Sequence, residues 1–151
     1  MAVVVREAKR EDAEAMARAH VASAGAAYGR DEDLGRRTRR WREVFDEPDS
    51  RPFLAEADGE IVGVLSVGPG ELYALYVHPD WWGRGVGQAL LDKAHAVLAE
   101  TSGEAELTVL VGNARARRFY ERNGWRFVEQ VVEPHFGGEP TEVCKYRRSL
   151  G

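Results

Sequence analysis

The sequence has a single cysteine, Cys144, among its 151 residues. That excludes an internal disulfide and any zinc site built from several thiolates. No apolar run approaches the ~18 residues of a membrane-spanning helix, and the start, Met1-Ala-Val-Val-Val-Arg6, lacks the layout of a secretory signal. Positive charge is not in excess either: 21 Lys and Arg stand against 25 Asp and Glu, a net charge of −4. A generic binder of nucleic-acid backbone is therefore disfavoured. Repeats, low-complexity tracts and interdomain linkers are missing as well. What remains is a single domain over residues 1–151, with 44% hydrophobic and 30% charged residues. A chain of this length can bury about two-thirds of its surface and needs no cross-link to hold together. The expected location is a reducing cytoplasm, and the plentiful Ala, Arg and Gly suggest a GC-rich bacterial source.

Val3-Val4-Val5 is a short β-branched run, and good helix formers follow from Glu11 to Tyr28 with apolar residues at helical spacing. Gly29 and the cluster Asp31-Glu32-Asp33 end that helix, and a second runs from about Leu34 to Phe45, stopping before Pro48. Pro52 to Ala57, Asp58-Gly59 and Glu60 to Val67 read as a hairpin, because Asp-Gly supplies the two positive φ angles of a tight turn. Pro69-Gly70 turns the chain into a strand from Glu71 to Val77. A Gly-rich loop leads into the clearest helix, Gly87 to Glu100, then a strand from Glu106 to Val111 and a helix from Asn113 to Asn123. Two more strands, Arg126 to Val132 and Glu142 to Arg147, are joined by a loop holding Gly137-Gly138. Tight turns make the three middle strands antiparallel, and the strand–helix–strand from Glu71 to Val111 makes its two strands parallel. The expected fold is a mixed α/β sheet with helices on its faces.

The most informative stretch runs from Leu75 to Leu91, where a strand ends at His78-Pro79, a loop carries Gly83, Gly85 and Gly87, and a helix begins at once. Such glycines let backbone approach a ligand, and a helix start offers free N–H groups at the positive end of its dipole, an arrangement suited to a pyrophosphate. The loop taken alone also reads as a plain turn. A dinucleotide fingerprint is excluded, since Gln88 and Leu90 stand where a further glycine is required, and no Gly-Lys-Ser/Thr ending marks a P-loop.

The segment resembles the acyl-CoA-binding core of the GNAT superfamily of N-acetyltransferases. Their pattern, Gln or Arg, two residues, Gly, one residue, Gly or Ala, maps onto Trp82, Gly85 and Gly87, with Trp82 a departure from the usual Gln or Arg. A second family element matches from Asn113 through Phe119-Tyr120 to Gly124-Trp125-Arg126-Phe127, and Val5-Arg6-Glu7-Ala8 with Asp12-Ala13 looks like the family's opening strand and helix. The resemblance covers the whole chain and implies the family's acyltransferase fold, about seven strands and four helices. It further implies acetyl-CoA as cosubstrate and no metal. The acyl-CoA contacts it implies are Leu75, Tyr76 and Val77 on the strand, then Trp82, Gly83, Arg84, Gly85, Val86, Gly87 and Gln88 in the loop. On the later helix they are Asn113, Ala116, Phe119 and Tyr120.

Asn113 and Tyr120 are seven residues apart, two helical turns, which puts them on one face about 10 Å apart. In the family the Asn position helps hold the pantetheine arm and the Tyr position protonates the leaving thiolate, a proton transfer suited to a phenol of pKa ~10. The acceptor amine must lose a proton, and Glu71 aligns with the catalytic glutamate of the histone acetyltransferase branch. Leu75, whose amide the resemblance turns to the acetyl carbonyl, lies four residues on, about 13 Å along a strand at ~3.3 Å per residue, so a water relay is favoured over direct contact. An exposed strand-end glutamate is the alternative reading. The base position of the ribosomal-protein acetyltransferases is Thr108 here, which removes one option, while Tyr73 and Glu106 remain open.

Other residues read more plainly. The four histidines show no metal-ligand spacing, and His78 belongs to the turn into Pro79. Arg36, Arg37, Arg39, Arg40 and Arg42 read as a solvated helix face, with the border of an anionic substrate as the alternative; of Arg115, Arg117 and Arg118, one is expected to meet CoA phosphates. Cys144 is a buried strand residue with no histidine placed to activate it. The expected function is N-acetyl transfer from acetyl-CoA to a primary amine, of a small molecule or a peptide, by direct attack in a ternary complex. A non-catalytic acyl-CoA-binding module is the alternative, motivated by Trp82 and Thr108. Neither nucleic acid nor membrane is an expected partner, and a homodimer is left open. The acceptor pocket falls to the two N-terminal helices and the segment Val132 to Thr141, where Glu129, Glu133, Glu139 and Glu142 favour a cationic amine.

Overall fold

The computed structural model describes residues 2–29, 32–135 and 138–151. A strand, β1 (Val3–Glu7), precedes two helices, α1 (Ala13–Tyr28) and α2 (Leu34–Val44). Three strands follow, β2 (Arg51–Ala57), β3 (Glu60–Gly68) and β4 (Glu71–Val77), then α3 (Val86–Ala99), β5 (Glu104–Leu110), α4 (Ala114–Arg122), β6 (Arg126–His135) and β7 (Glu139–Ser149). The expected order of elements is the observed one. Asp58 (φ 51°) and Gly59 (φ 77°) make the tight turn between β2 and β3, the positive angles that Asp-Gly tolerates. Asp31 of the helix-breaking cluster and Gly137 of the last loop lie outside the described residues. Both strands flanking that loop run further than composition suggests, β6 to His135 and β7 from Glu139.

The seven strands form one sheet in the order β1-β2-β3-β4-β5-β7-β6. Among the described residues only β4 and β5 are parallel, and they pair at just two positions, Glu71 with Glu106 and Leu72 with Leu107, before separating. Beyond those pairs the sheet is split, with β1 to β4 in one wing and β5 to β7 in the other. One face of the first wing is covered by α1 and α2. Met16, Ala17 and Trp41 pack there on Leu54 and Val64, all 3% exposed or less. The opposite face takes α3, whose Val86, Leu90, Leu91, Ala94, Val97 and Leu98 recur at helical spacing against Phe53, Leu65 and Leu72. Each large apolar side chain so buried contributes about 1.5–3 kcal/mol before entropy is counted. Among the described residues no helix is long and apolar enough to cross a membrane.

Beside the split, His20 of α1 holds the first helical layer to β4. Its ring stacks on Tyr76 with centroids 3.9 Å apart, and its Nδ1 accepts the indole N–H of Trp41 at 3.1 Å. His95 likewise accepts the Trp125 indole N–H, at 3.1 Å. Burial, aided by Arg37, holds His20 well below the ordinary histidine pKa, and burial with Arg148 lowers His95 against a weaker opposing pull from Asp92. A depressed histidine leaves stability intact above its unfolded pKa of ~6.5 and loses it as pH falls toward the folded value. The thermal midpoint is accordingly expected to fall steadily from pH 7.5 to pH 5, and to do so less steeply in His20→Gln, which keeps a neutral acceptor for Trp41. An equal slope in that variant would show that His20 does not carry the effect.

Candidate active site

The split between β4 and β5 opens a cavity of about 820 Å³. Its walls are β4 and β5, the loop after β4, the start of α3, one side of α4 and the C-terminal part of α1, through Ser23, Ala26 and Ala27. A change of register shapes the β4 wall. Leu72 pairs with Val67 but Ala74 pairs with Ser66, so Tyr73 is an extra residue, a bulge. Before it, the Gly70 carbonyl accepts from the Glu106 amide, so even-numbered backbone groups face β5. After it, the His78 amide donates to Val62 on β3, so even-numbered groups now face β3. Strand alternation then turns the amides of Leu75 and Val77 into the cleft, where β5 has already moved away. The side chains switch with the backbone: Leu75 and Val77 join the α3 layer, Ala74 and Tyr76 the α1–α2 layer.

The glycine loop lies beside this open strand edge. Gly83 (φ 73°) and Gly85 (φ 86°) hold left-handed backbone that side chains adopt only under strain, which brings the chain round into α3. Trp82 spends its single indole N–H on the Val77 carbonyl at 2.8 Å, capping a group that the split would otherwise leave unpaired. Gln88 bridges Asp92 and Asn123, each at 2.9 Å. Across the cavity Asn113 is the N-cap of α4 rather than a residue within it, its side-chain oxygen accepting the Ala116 amide at 3.1 Å. Tyr120 is 7% exposed and packs its ring on Phe119 and Trp125.

Of the residues named from the sequence, Glu71, Leu75, Tyr76, Val77, Trp82, Gly83, Gly85, Gly87, Gln88, Asn113, Ala116, Phe119 and Tyr120 line this one cavity. Two do not. The Val86 side chain turns into the core, 1% exposed, and the Arg84 guanidinium lies 4.8 Å from the centre of the Trp81 ring. Arg117 also points elsewhere, to the Tyr146 hydroxyl at 3.1 Å and the Val111 carbonyl at 3.2 Å. Arg115, Arg118 and Arg122 take the cavity side instead, three residues at helical spacing. Ser23, Ala26 and Ala27 were not singled out, because small residues on an Ala-rich helix read as ordinary packing.

Glu71 stands where β4 and β5 part. Its carboxyl is held above the ordinary range, first by burial, then by Glu106 and Glu133, with Lys145 pulling the other way. Glu106 is its register partner on β5, and Arg147 holds that carboxylate at 2.6 Å. Lys145 pairs with Glu133 at 2.7 Å. Tyr73 and Thr108 border the same end of the cavity. Among the described residues no group of three or more His, Cys, Asp and Glu could hold a metal ion. The chemistry on offer is thus a pair of strand amides facing a cleft, a phenol on one side and a partly buried carboxylate at the far end.

The family model for acetyltransferases (GNAT) matches residues 4–125. An uncharacterized N-acetyltransferase of Archaeoglobus fulgidus is 30% identical over 154 aligned residues, which take in 91% of this chain and 99% of that one. A mycothiol acetyltransferase of Beutenbergia cavernae is 45% identical over 69 residues, 45% of this chain but only 23% of its own length. The structure of the paia N-acetyltransferase of Thermoplasma acidophilum, in complex with coenzyme A, superposes with a TM-score of 0.73 at 21% identity, covering 99% of each chain.

Proposed function

The chain belongs to the acetyltransferase (GNAT) family, and from that premise we propose that it transfers the acetyl group of acetyl-CoA to a primary amine by direct attack within a ternary complex. One observation carries this reading: the Tyr73 bulge turns the Leu75 and Val77 amides into a cleft that the glycine loop and Tyr120 also line. The residues present suit an elongated anionic thioester, since the cleft has strand amides facing it, positive-φ glycines and three arginines along one wall. Bound acetyl-CoA would supply the activated acetyl group.

Each protein group then has one task. The Leu75 amide donates to the thioester carbonyl oxygen as negative charge gathers on it, while the Val77 amide, about 6.6 Å further along the strand, is left for a second acceptor on the ligand. Glu71 receives, through water, the proton that the attacking amine sheds. Tyr120 gives its phenolic proton to the departing sulfur. Glu129, Glu133, Glu139 and Glu142 lie on β6 and β7 outside the cavity lining, and Glu133 is paired with Lys145, so the preference for a cationic amine rests on composition; a cytoplasmic setting agrees with the buried thiol of Cys144.

Thermal unfolding with acetyl-CoA, with NAD and ATP as controls, tests the premise of binding. A ligand at a hundred times its dissociation constant stabilises by about 2.7 kcal/mol, a rise of roughly 5–10 °C for a domain of this size. A rise with acetyl-CoA alone is expected, followed by thiol release in a panel of amines. No rise at millimolar acetyl-CoA would overturn the reading, and a rise with no thiol released by any amine would leave binding without transfer.

A further inference from the structure

We propose that Arg115, seated on the ring of Trp82, is the side chain that grips the phosphates of the acyl-CoA, in place of the Gln or Arg that position 82 lacks. The proposal rests on the acyl-CoA reading above and names one contact within it.

Position 82 cannot make that contact itself. An indole has one donor and no acceptor, and the Trp82 donor is committed to the Val77 carbonyl at 2.8 Å. What Trp82 offers the cavity is its face. The Arg115 guanidinium carbon lies 3.9 Å from the ring centre, well inside the range at which a cation is held over an aromatic face. The bond to Val77 fixes the indole, and the fixed indole in turn holds the guanidinium in the wall of the cavity that Gly83 and Gly85 also line.

Among the described residues, moreover, no carboxylate is paired with Arg115. The influences on it are burial first and Arg122 second, and both work against its charge. Other arginines nearby are already committed: Arg117 to Tyr146 and Val111, Arg147 to Glu104 and Glu106. A guanidinium always keeps its proton and offers a planar fork of donors that matches a phosphate. Stacking leaves its N–H edges available, so an anion can bind without displacing the ring. Arg118 and Arg122 continue the same helical face along the cavity. Trp82 is thus a positioning residue and Arg115 the binding one.

The test compares two ligands by calorimetry or displacement: acetyl-CoA, and S-acetylpantetheine, which lacks the phosphates. Arg115→Ala is expected to weaken acetyl-CoA at least tenfold and S-acetylpantetheine less than twofold. Trp82→Ala should give a smaller loss of the same kind, Trp82→Phe should recover most of it, and Trp82→Gln added to Arg115→Ala should restore part of the acetyl-CoA affinity. Thermal midpoints identify any unfolded variant, in which case Arg115→Lys, expected to fall between wild type and alanine, takes its place. Arg115→Ala with wild-type affinity for acetyl-CoA would overturn the proposal and leave the acyl-CoA reading standing. Equal losses for both ligands would also overturn it, because the contact would then not be with phosphate. A wild-type protein that binds neither ligand takes down the acyl-CoA reading and this proposal together.

Discussion

Tyr120→Phe is expected to lower turnover by more than tenfold and to change the affinity for acetyl-CoA by less than about twofold. The substitution removes one oxygen and leaves the ring, which is 7% exposed and wedged between Phe119 and Trp125 at centroid distances of 5.4 and 6.1 Å. The backbone at this position closes α4 by accepting the amides of Asn123 and Trp125 at 3.0 Å each, a role that phenylalanine keeps. The cleft should therefore hold its shape, and the missing quantity is the proton that the leaving sulfur needs. A positioned acid of this kind typically supplies 10²–10⁴-fold, so a loss in kcat with an unchanged dissociation constant separates proton donation from packing. Thiol release under saturating acetyl-CoA gives the first quantity and calorimetry the second. An undiminished kcat would remove Tyr120 from the mechanism.

The parts of this fold that local chemistry decides were legible in the chain. Asp58-Gly59 names its own turn, and the apolar spacing of Val86, Leu90, Leu91, Ala94, Val97 and Leu98 names its own helix. The β4–β5 crossover follows from connection length alone. The bulge at Tyr73 was hidden because Leu72 to Val77 read as an unbroken run of apolar and aromatic residues with no alternation to slip. Only the pairing with β3 reveals the extra residue, and with it which amides face the cleft. Pro134 and Pro140 disguised the ends of β6 and β7, since proline argues against a central strand. Here they pair with each other at the tip of a hairpin whose outer strand is an edge.

The site shows the same division. The glycine loop and Asn113–Tyr120 were recognisable as patterns, and the fold gathers them around one cavity. Asn113 carried a signal that was misread: asparagine is a preferred N-cap, and it starts α4 from outside. The choice among Arg115, Arg117 and Arg118 had no such signal. Tyr146, a β7 residue 29 positions from Arg117, claims that guanidinium, and Trp82, which broke the motif, receives Arg115. The departure from the loop motif is thereby tied to a neighbouring cation by contacts that sequence spacing does not encode.

Glu71→Gln should remove the acidic limb from the pH profile of kcat/KM and lower its plateau by about 10- to 100-fold. A base works only when deprotonated. Burial, Glu106 and Glu133 hold the Glu71 carboxyl above the ordinary carboxylate range, more than Lys145 lowers it. Activity in the wild type is therefore expected to fail as pH drops through a value above ~4.3, on the side toward neutrality. The acceptor amine adds a limb of its own at higher pH, and two acceptors of different pKa distinguish them: the amine's limb moves with the acceptor, the carboxyl's does not. Glu106→Gln gives a second handle. It removes a like charge at the register partner of Glu71, so the acidic limb should move to lower pH while the plateau is largely kept. A limb that persists unchanged in Glu71→Gln would mean that the proton leaves by another route. A limb abolished in Glu71→Gln but unmoved in Glu106→Gln would keep the base and place its pKa control in burial and the remaining charges, Glu133 and Lys145.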